Sequence, residues 1–371
     1  AFMSFGLAFF ARPVGAIVFG HFGDRIGRKS TLVASLMLMG VSTLLIAFLP
    51  TYAMLGWVAP LLLCVLRFGQ GFGLGGEWGG ASLLAVEYAP RGWEARFGSA
   101  PQFGAPVGFL FANGLFLVLG LTLSDAQFTA WGWRIPFLAS AFLVGLGLWV
   151  RLRIAETPAF REALAREKPP AVPLAQLLGH HFGAVMAGTA GAVACFAIFY
   201  LSTAYALAQG TGSLGYPRET FLGVQLGANC FFALGILFAV IRADRVGSGT
   251  VLLQGAVATV AMGLVFGAGL QSGSLLVVFA TLSASLFIMG LVYGPLGSWL
   301  PSLLPVTVRY SGISLAFNLG GIIGGALAPI AAQQLAAQGH ANGAGWFMSA
   351  AGAMTLAGVV WARKYQARAA G

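Results

Sequence analysis

Arg12, Arg67, Gln70 and Glu77 are charged or strongly polar side chains set in stretches that are otherwise apolar. At about 100° per residue, Arg67, Gln70 and Glu77 fall within an arc of about 80° on one helix face. Arg67 and Glu77 are separated by about 15 Å along that helix at about 1.5 Å per residue, too far for a direct ion pair. Each therefore requires a partner on another helix or water in a cavity. An arginine held in this way can form charge-assisted hydrogen bonds to a carboxylate, and a carboxyl held in this way is a group that a proton can neutralise. Two arginines against one glutamate leave such a cavity net positive, which favours anions. Asn113 and Tyr200 are further polar positions for the same cavity, whereas Tyr205, Tyr293, Trp299, Gln225, Asn229 and Asn318 read as packing or helix-to-helix hydrogen bonds. No metal site or disulfide is expected. His180 and His181 are adjacent and cannot face one ion from a helix, and Cys64, Cys195 and Cys230 lie in apolar runs without a CxxC pair.

The elements that position these groups must be membrane helices. The chain has 371 residues, 58% hydrophobic and 8% charged, against roughly 25% charged in a soluble domain. That excludes an ordinary water-soluble globule. Its 54 glycines are about double ordinary usage and follow no collagen period, as suits closely approaching membrane helices. The net charge of +10 comes without the basic runs interleaved with aromatics that nucleic acid would need. Apolar runs long enough to span a bilayer occur at 1–22, 30–49, 57–86, 97–120, 133–151, 177–208, 218–241, 250–270, 274–304, 311–337 and 343–362. Stretches such as 31–49 and 275–291 are continuously apolar rather than alternating, which excludes barrel strands. An all-α bundle of about eleven transmembrane helices is expected.

Sixteen Lys and Arg fall in one set of alternate loops and only Arg134 and Arg218 in the other, which places the first set and the C-terminus in the cytoplasm. The polar, proline-containing segment 152–176 divides an N-terminal half, 1–151, from a C-terminal half, 177–371. Asp24-Arg25-Ile26-Gly27 recurs as Asp244-Arg245-Val246-Gly247, and Arg96-Phe97-Gly98-Ser99 is echoed by Arg309-Tyr310-Ser311-Gly312, at offsets of 220 and 213 residues. Parallel repeats of this kind are one architecture of secondary transporters. The offset pairs the first span with the second span of the later half, so a 6+6 parent lacking its first helix is expected.

Gly20-His21-Phe22-Gly23-Asp24-Arg25-Ile26-Gly27-Arg28-Lys29 resembles the signature loop of the major facilitator superfamily, which latches the two halves of those transporters in one conformation. The run from Arg67 to Gly80, with Ala11-Arg12-Pro13, the segment from Trp131 to Phe137, Glu156-Thr157-Pro158 and Arg309-Tyr310-Ser311-Gly312, is similar to one branch, the metabolite:proton symporters for proline/betaine, α-ketoglutarate, shikimate and citrate. Two departures stand out: Ser248-Gly249 replaces the basic pair in the second copy of the loop, and Ser302 stands where the family usually has Glu.

The resemblance implies a proton-coupled symporter of a small organic metabolite, a carboxylate by the charge argument, acting by alternating access as a monomer in the bacterial inner membrane. The partners implied are the metabolite, the proton and the bilayer, with no cofactor beyond the coupling proton, no nucleic acid and no enzyme activity. Arg12, Arg67, Gln70, Asn113 and Tyr200 are the expected substrate residues and Glu77 the expected proton carrier. Gly20, Asp24, Arg25, Gly27, Arg28, Lys29, Glu87, Arg96, Asp244 and Arg309 are the latch residues that the resemblance implies. The competing readings are a membrane-embedded enzyme, a non-transporting truncation or receptor, and a transporter of zwitterions such as betaine or proline.

Overall fold

The computed structural model describes residues 2–153, 157, 161–162, 165, 173–340 and 342–369. Among them there is no strand, and eleven helices are long and apolar enough to cross a membrane: α1 Gly6–Arg25, α2 Arg28–Ile46, α3 Val58–Glu87, α4 Ala100–Thr122, α5 Gly132–Arg153, α6 Phe182–Gly212, α7 Arg218–Val246, α8 Ser248–Leu270, α9 Leu275–Trp299, α10 Val306–Ala337 and α11 Gly343–Gln366. Most of the expected linker, including Glu156, Pro158, Arg166 and Lys168, lies outside the described residues.

The spans follow the apolar runs closely, with two informative differences. The run from 177 is interrupted, because a short helix, Pro173–His180, closes before His181 turns out of helical geometry at φ −123 and ψ 12. The run to 304 ends early at Trp299, since Pro301 and Pro305 lack the N–H that an α-helix needs there. Two turns are π-helical, Leu201–Tyr205 within α6 and Ile322–Ala326 within α10, and such bulges are frequent at functional sites.

Glycines decide the crossings. A Cβ at Gly71 or Gly75 of α3 would overlap the carbonyl oxygens of Ala8 and Arg12 on α1, so this contact is backbone against backbone. In the later half Gly235 of α7 and Gly290 of α9 meet in the same manner, as the internal repeat of the sequence would have it. Gly79 and Gly80 of α3 instead face Ser314 and Tyr310 on α10, so one glycine-rich helix touches neighbours on several sides. Gly75→Val is expected to push α1 off α3 and to destabilise the bundle by about 1–3 kcal/mol. Gly114→Ala, in open space, should leave it unchanged. Melting of the purified variants, followed by size-exclusion recovery, checks the pair.

Candidate functional site

α3 carries groups at three depths, which organise the site. Near the end of the helix that meets the basic loops, Glu87 pairs with Arg28 at the start of α2, at 3.0 Å, with both side chains buried. Thr157 donates to the same carboxylate, and Arg309 of α10 approaches it at 3.9 Å. Gly27 opens α2 at φ 129, and Gly247 opens α8 at φ 90, a backbone region that side chains disfavour. Asp24 crosses between the halves: its two oxygens accept from the backbone N–H groups of Tyr310 (3.0 Å) and Ser311 (2.9 Å), in the first α-helical turn of α10. Asp244 returns the contact, accepting from Ala95 N–H at 2.8 Å at the start of the short helix Glu94–Gly98 and pairing with Arg96 at 3.0 Å. Carboxylates at helix N-termini satisfy orphan donors and the positive end of the dipole. Gly20 packs on Ser311. Arg25 and Lys29 make their contacts within the first half instead, Arg25 beside His21 and Lys29 donating to the carbonyl of Leu152 at 2.9 Å. His181, outside the spans, has its pKa lowered by burial and by neighbouring His180.

At middle depth, a cavity of about 210 Å³ opens between three helices of each half: α1, α3 and α4 on one side, α6, α9 and α10 on the other. Arg12 and Tyr200 both line it, with Trp78, Phe196, Phe199, Tyr293, Phe317 and Asn318 among the other walls. Trp78 and Phe317 stack across the two halves at 3.7 Å between ring centroids. Arg12 is the only charged group among the described residues of this lining. Its guanidinium lies over the Phe9 ring at 4.1 Å, its Nε is buried without an acceptor, and no carboxylate pairs with it among the described residues. Asn318 spends its amide hydrogens on the carbonyls of Gly75 (2.9 Å) and Ser314 (2.7 Å), which fixes α10 against α3 beside the cavity.

Arg67, Gln70, Asn113 and Glu77 are not on this lining. Arg67 lies two turns before Leu74, about 10 Å along α3, so it shares a face with the cavity but not its depth. There it approaches Gln70 at 3.4 Å, and Gln70 donates to Thr43 of α2 at 2.7 Å. Asn113 donates to the carbonyl of Phe109 on its own helix. Glu77 faces α2 and α5, where Arg151 donates to both its oxygens and Ser35 donates at 3.0 Å. Of the two arginines that the sequence places at a cavity, Arg12 lines this one and Arg67 does not. Arg151 is one of the sixteen basic residues that the sequence assigns to the loops, but its long side chain reaches back into the bundle. Neither Trp78 nor Phe317 is singled out by the sequence. The available signal was the row of aromatics on α6, α9 and α10, which repeated packing patterns resemble.

A family profile described as sugar (and other) transporter matches residues 2–171. The inner membrane metabolite transport protein YhjE of Escherichia coli (strain K12) is 44% identical over 359 residues, covering 95% of this chain and 81% of that protein. The shikimate transporter of Escherichia coli (strain K12) is 36% identical, with 90% of this chain and 77% of that protein covered. A solved structure of the major facilitator proton:xylose symporter XylE superposes with a TM-score of 0.77 at 16% identity, covering 98% of this chain and 86% of that one. This chain is a multi-pass membrane protein that belongs to the major facilitator superfamily, in a branch of metabolite transporters and not of enzymes.

Proposed function

We propose that the protein is a proton-coupled symporter of a small organic monocarboxylate, working by alternating access around the cavity between the halves. The observation that carries this reading is Arg12, a cation without a carboxylate partner among the described residues, set in a chamber whose other walls are mostly aromatic and apolar. A lone buried charge in a membrane costs about 2.5–3.5 kcal/mol even on the mildest scale, and a substrate carboxylate offsets that cost through a bidentate pair. One arginine matches one carboxylate, and the flat aromatic walls suit a compact ring or short chain.

Glu77 is the proton-carrying candidate, as an acidic group within a span that is bound by a donor able to leave. The proton and Arg151 compete for the same carboxylate. Arg151 is 17% exposed and sits in the last turn of α5, so on release it can reach water at the basic end. The excess of Lys and Arg at that end supports a cytoplasmic location for it and for the C-terminus, and the inner-membrane relative supports placement in a bacterial inner membrane.

Uptake of labelled shikimate, dicarboxylates, proline and betaine into proteoliposomes, with and without an imposed pH gradient, tests the reading. Gradient-dependent accumulation of a monocarboxylate in preference to dicarboxylates is expected. Accumulation indifferent to the gradient would remove symport, and preference for a dicarboxylate would remove the single-arginine argument.

A further inference from the structure

A second cavity, of about 500 Å³, lies at the basic end against the first turn of α8. Its origin is legible in the internal repeat. In the first half α2 begins with Arg28, whose guanidinium is buried against Glu87 at the end of α3. The repeat puts Ser248 at the start of α8 and Ser302 just beyond the end of α9, so two short hydroxyls occupy the places of a large ion pair. Ser248 is satisfied by Ser298 at 2.7 Å, and Ser302 by the carbonyl of Trp299 and the amide of Gln366. The remaining volume is open.

Three features of this space call for negative charge. α8 starts at Gly247, which supplies no side-chain cap, and its first turn holds no acidic residue, so the positive end of a 23-residue helix meets the cavity uncompensated. Trp299 lines the cavity, is 1% exposed, and its Nε1–H has no acceptor among the described residues. That N–H sits against the first turn of α8, 3.3 Å from where a Cβ on Gly249 would be. Among the described residues of the wall, Arg309 and Arg363 stand as two cations against the one carboxylate of Glu94, contributed by the first half.

We propose that this cavity binds a phosphate group, free or carried on a lipid headgroup, held by the α8 N-terminus, Trp299 Nε1 and Arg363. The site is separate from the central chamber and does not depend on what is transported. The vacated ion pair is replaced by an exchangeable ligand.

The test uses the whole protein in nanodiscs of phosphatidylcholine, titrated with inorganic phosphate at constant ionic strength against chloride, by calorimetry and melting temperature. Saturable one-site binding is expected, weakened at least tenfold by Arg363→Gln and by Ser302→Glu, which returns a fixed acid to the space. Arg134→Gln, removing a cation at the opposite end, should bind as the parent does. Melting without phosphate identifies any variant that has lost its fold, and Arg363, being exposed, is the variant least exposed to that risk. In nanodiscs containing phosphatidylglycerol, loss of phosphate binding would assign the occupant to the headgroup, while retained binding would assign it to free phosphate. Either result supports recognition of a phosphate group. A chloride titration that reproduces the phosphate effect, or equal affinity in parent, Arg363→Gln and Ser302→Glu, would overturn it.

Discussion

Arg12→Gln should lower substrate affinity by about one and a half to three and a half orders of magnitude while leaving the protein folded. The size follows from removing one member of a desolvated charge pair, about 2–5 kcal/mol, at about 1.4 kcal/mol per tenfold. Folding should survive because Arg12 has no ion-pair partner among the described residues for the substitution to orphan, and its contact with Phe9 is a ring-face contact. Arg12→Lys keeps the charge but loses the planar fork, so it should fall between the two. Equilibrium binding of the carboxylate selected by the uptake panel, alongside melting of each variant, measures both quantities. Unchanged affinity in Arg12→Gln would reduce Arg12 to a packing residue and leave the chamber without its anion-recognising group.

Glu77→Gln has the second large effect expected, on energy coupling instead of binding. A carboxylate that travels with one proton is carried electroneutrally, so a gradient of one pH unit supports an accumulation ratio of about ten at equilibrium. The glutamine cannot exchange a proton; its amide oxygen keeps the bonds from Ser35 and one Arg151 nitrogen between α2 and α5, while the second Arg151 bond, to the other carboxylate oxygen, is lost. The variant should therefore exchange internal for external substrate at near-normal rates and show an accumulation ratio of about one under the same gradient. Counterflow and gradient-driven uptake in the same vesicles separate these. If the variant concentrates substrate as the parent does, the Glu77 and Arg151 pair only holds the first-half bundle together.

The eleven spans were legible because a bilayer demands about 20 apolar residues per crossing and leaves little room for alternatives. The contact ends at the basic side were legible through the repeated Asp-Arg-x-Gly turn, which appears twice because the same corner is built twice. Helical angle was also enough to put Arg67 on the chamber face of α3, but angle carries no information about where along a long helix two halves part. Depth separated Arg67 from the cavity. Arg151 was misplaced for a different reason: the span boundary fell on it, and side-chain reach is comparable with the depth of the boundary region. Trp78 against Phe317 could not be foreseen, because stacking between residues so distant in the chain is a property of how the halves dock.

Asp24 and Asp244 each cap a helix that belongs to the other half, Asp24 at Tyr310 and Ser311, Asp244 at Ala95. Each half thus lends the other the residue that completes one of its own secondary-structure elements. If the basic end parts, as the proposed alternating access requires, those amides lose their acceptors together, and water must arrive to solvate them and the two released carboxylates. Opening of the gate and fraying of two helix starts are then a single cooperative event, with hydration as its third participant.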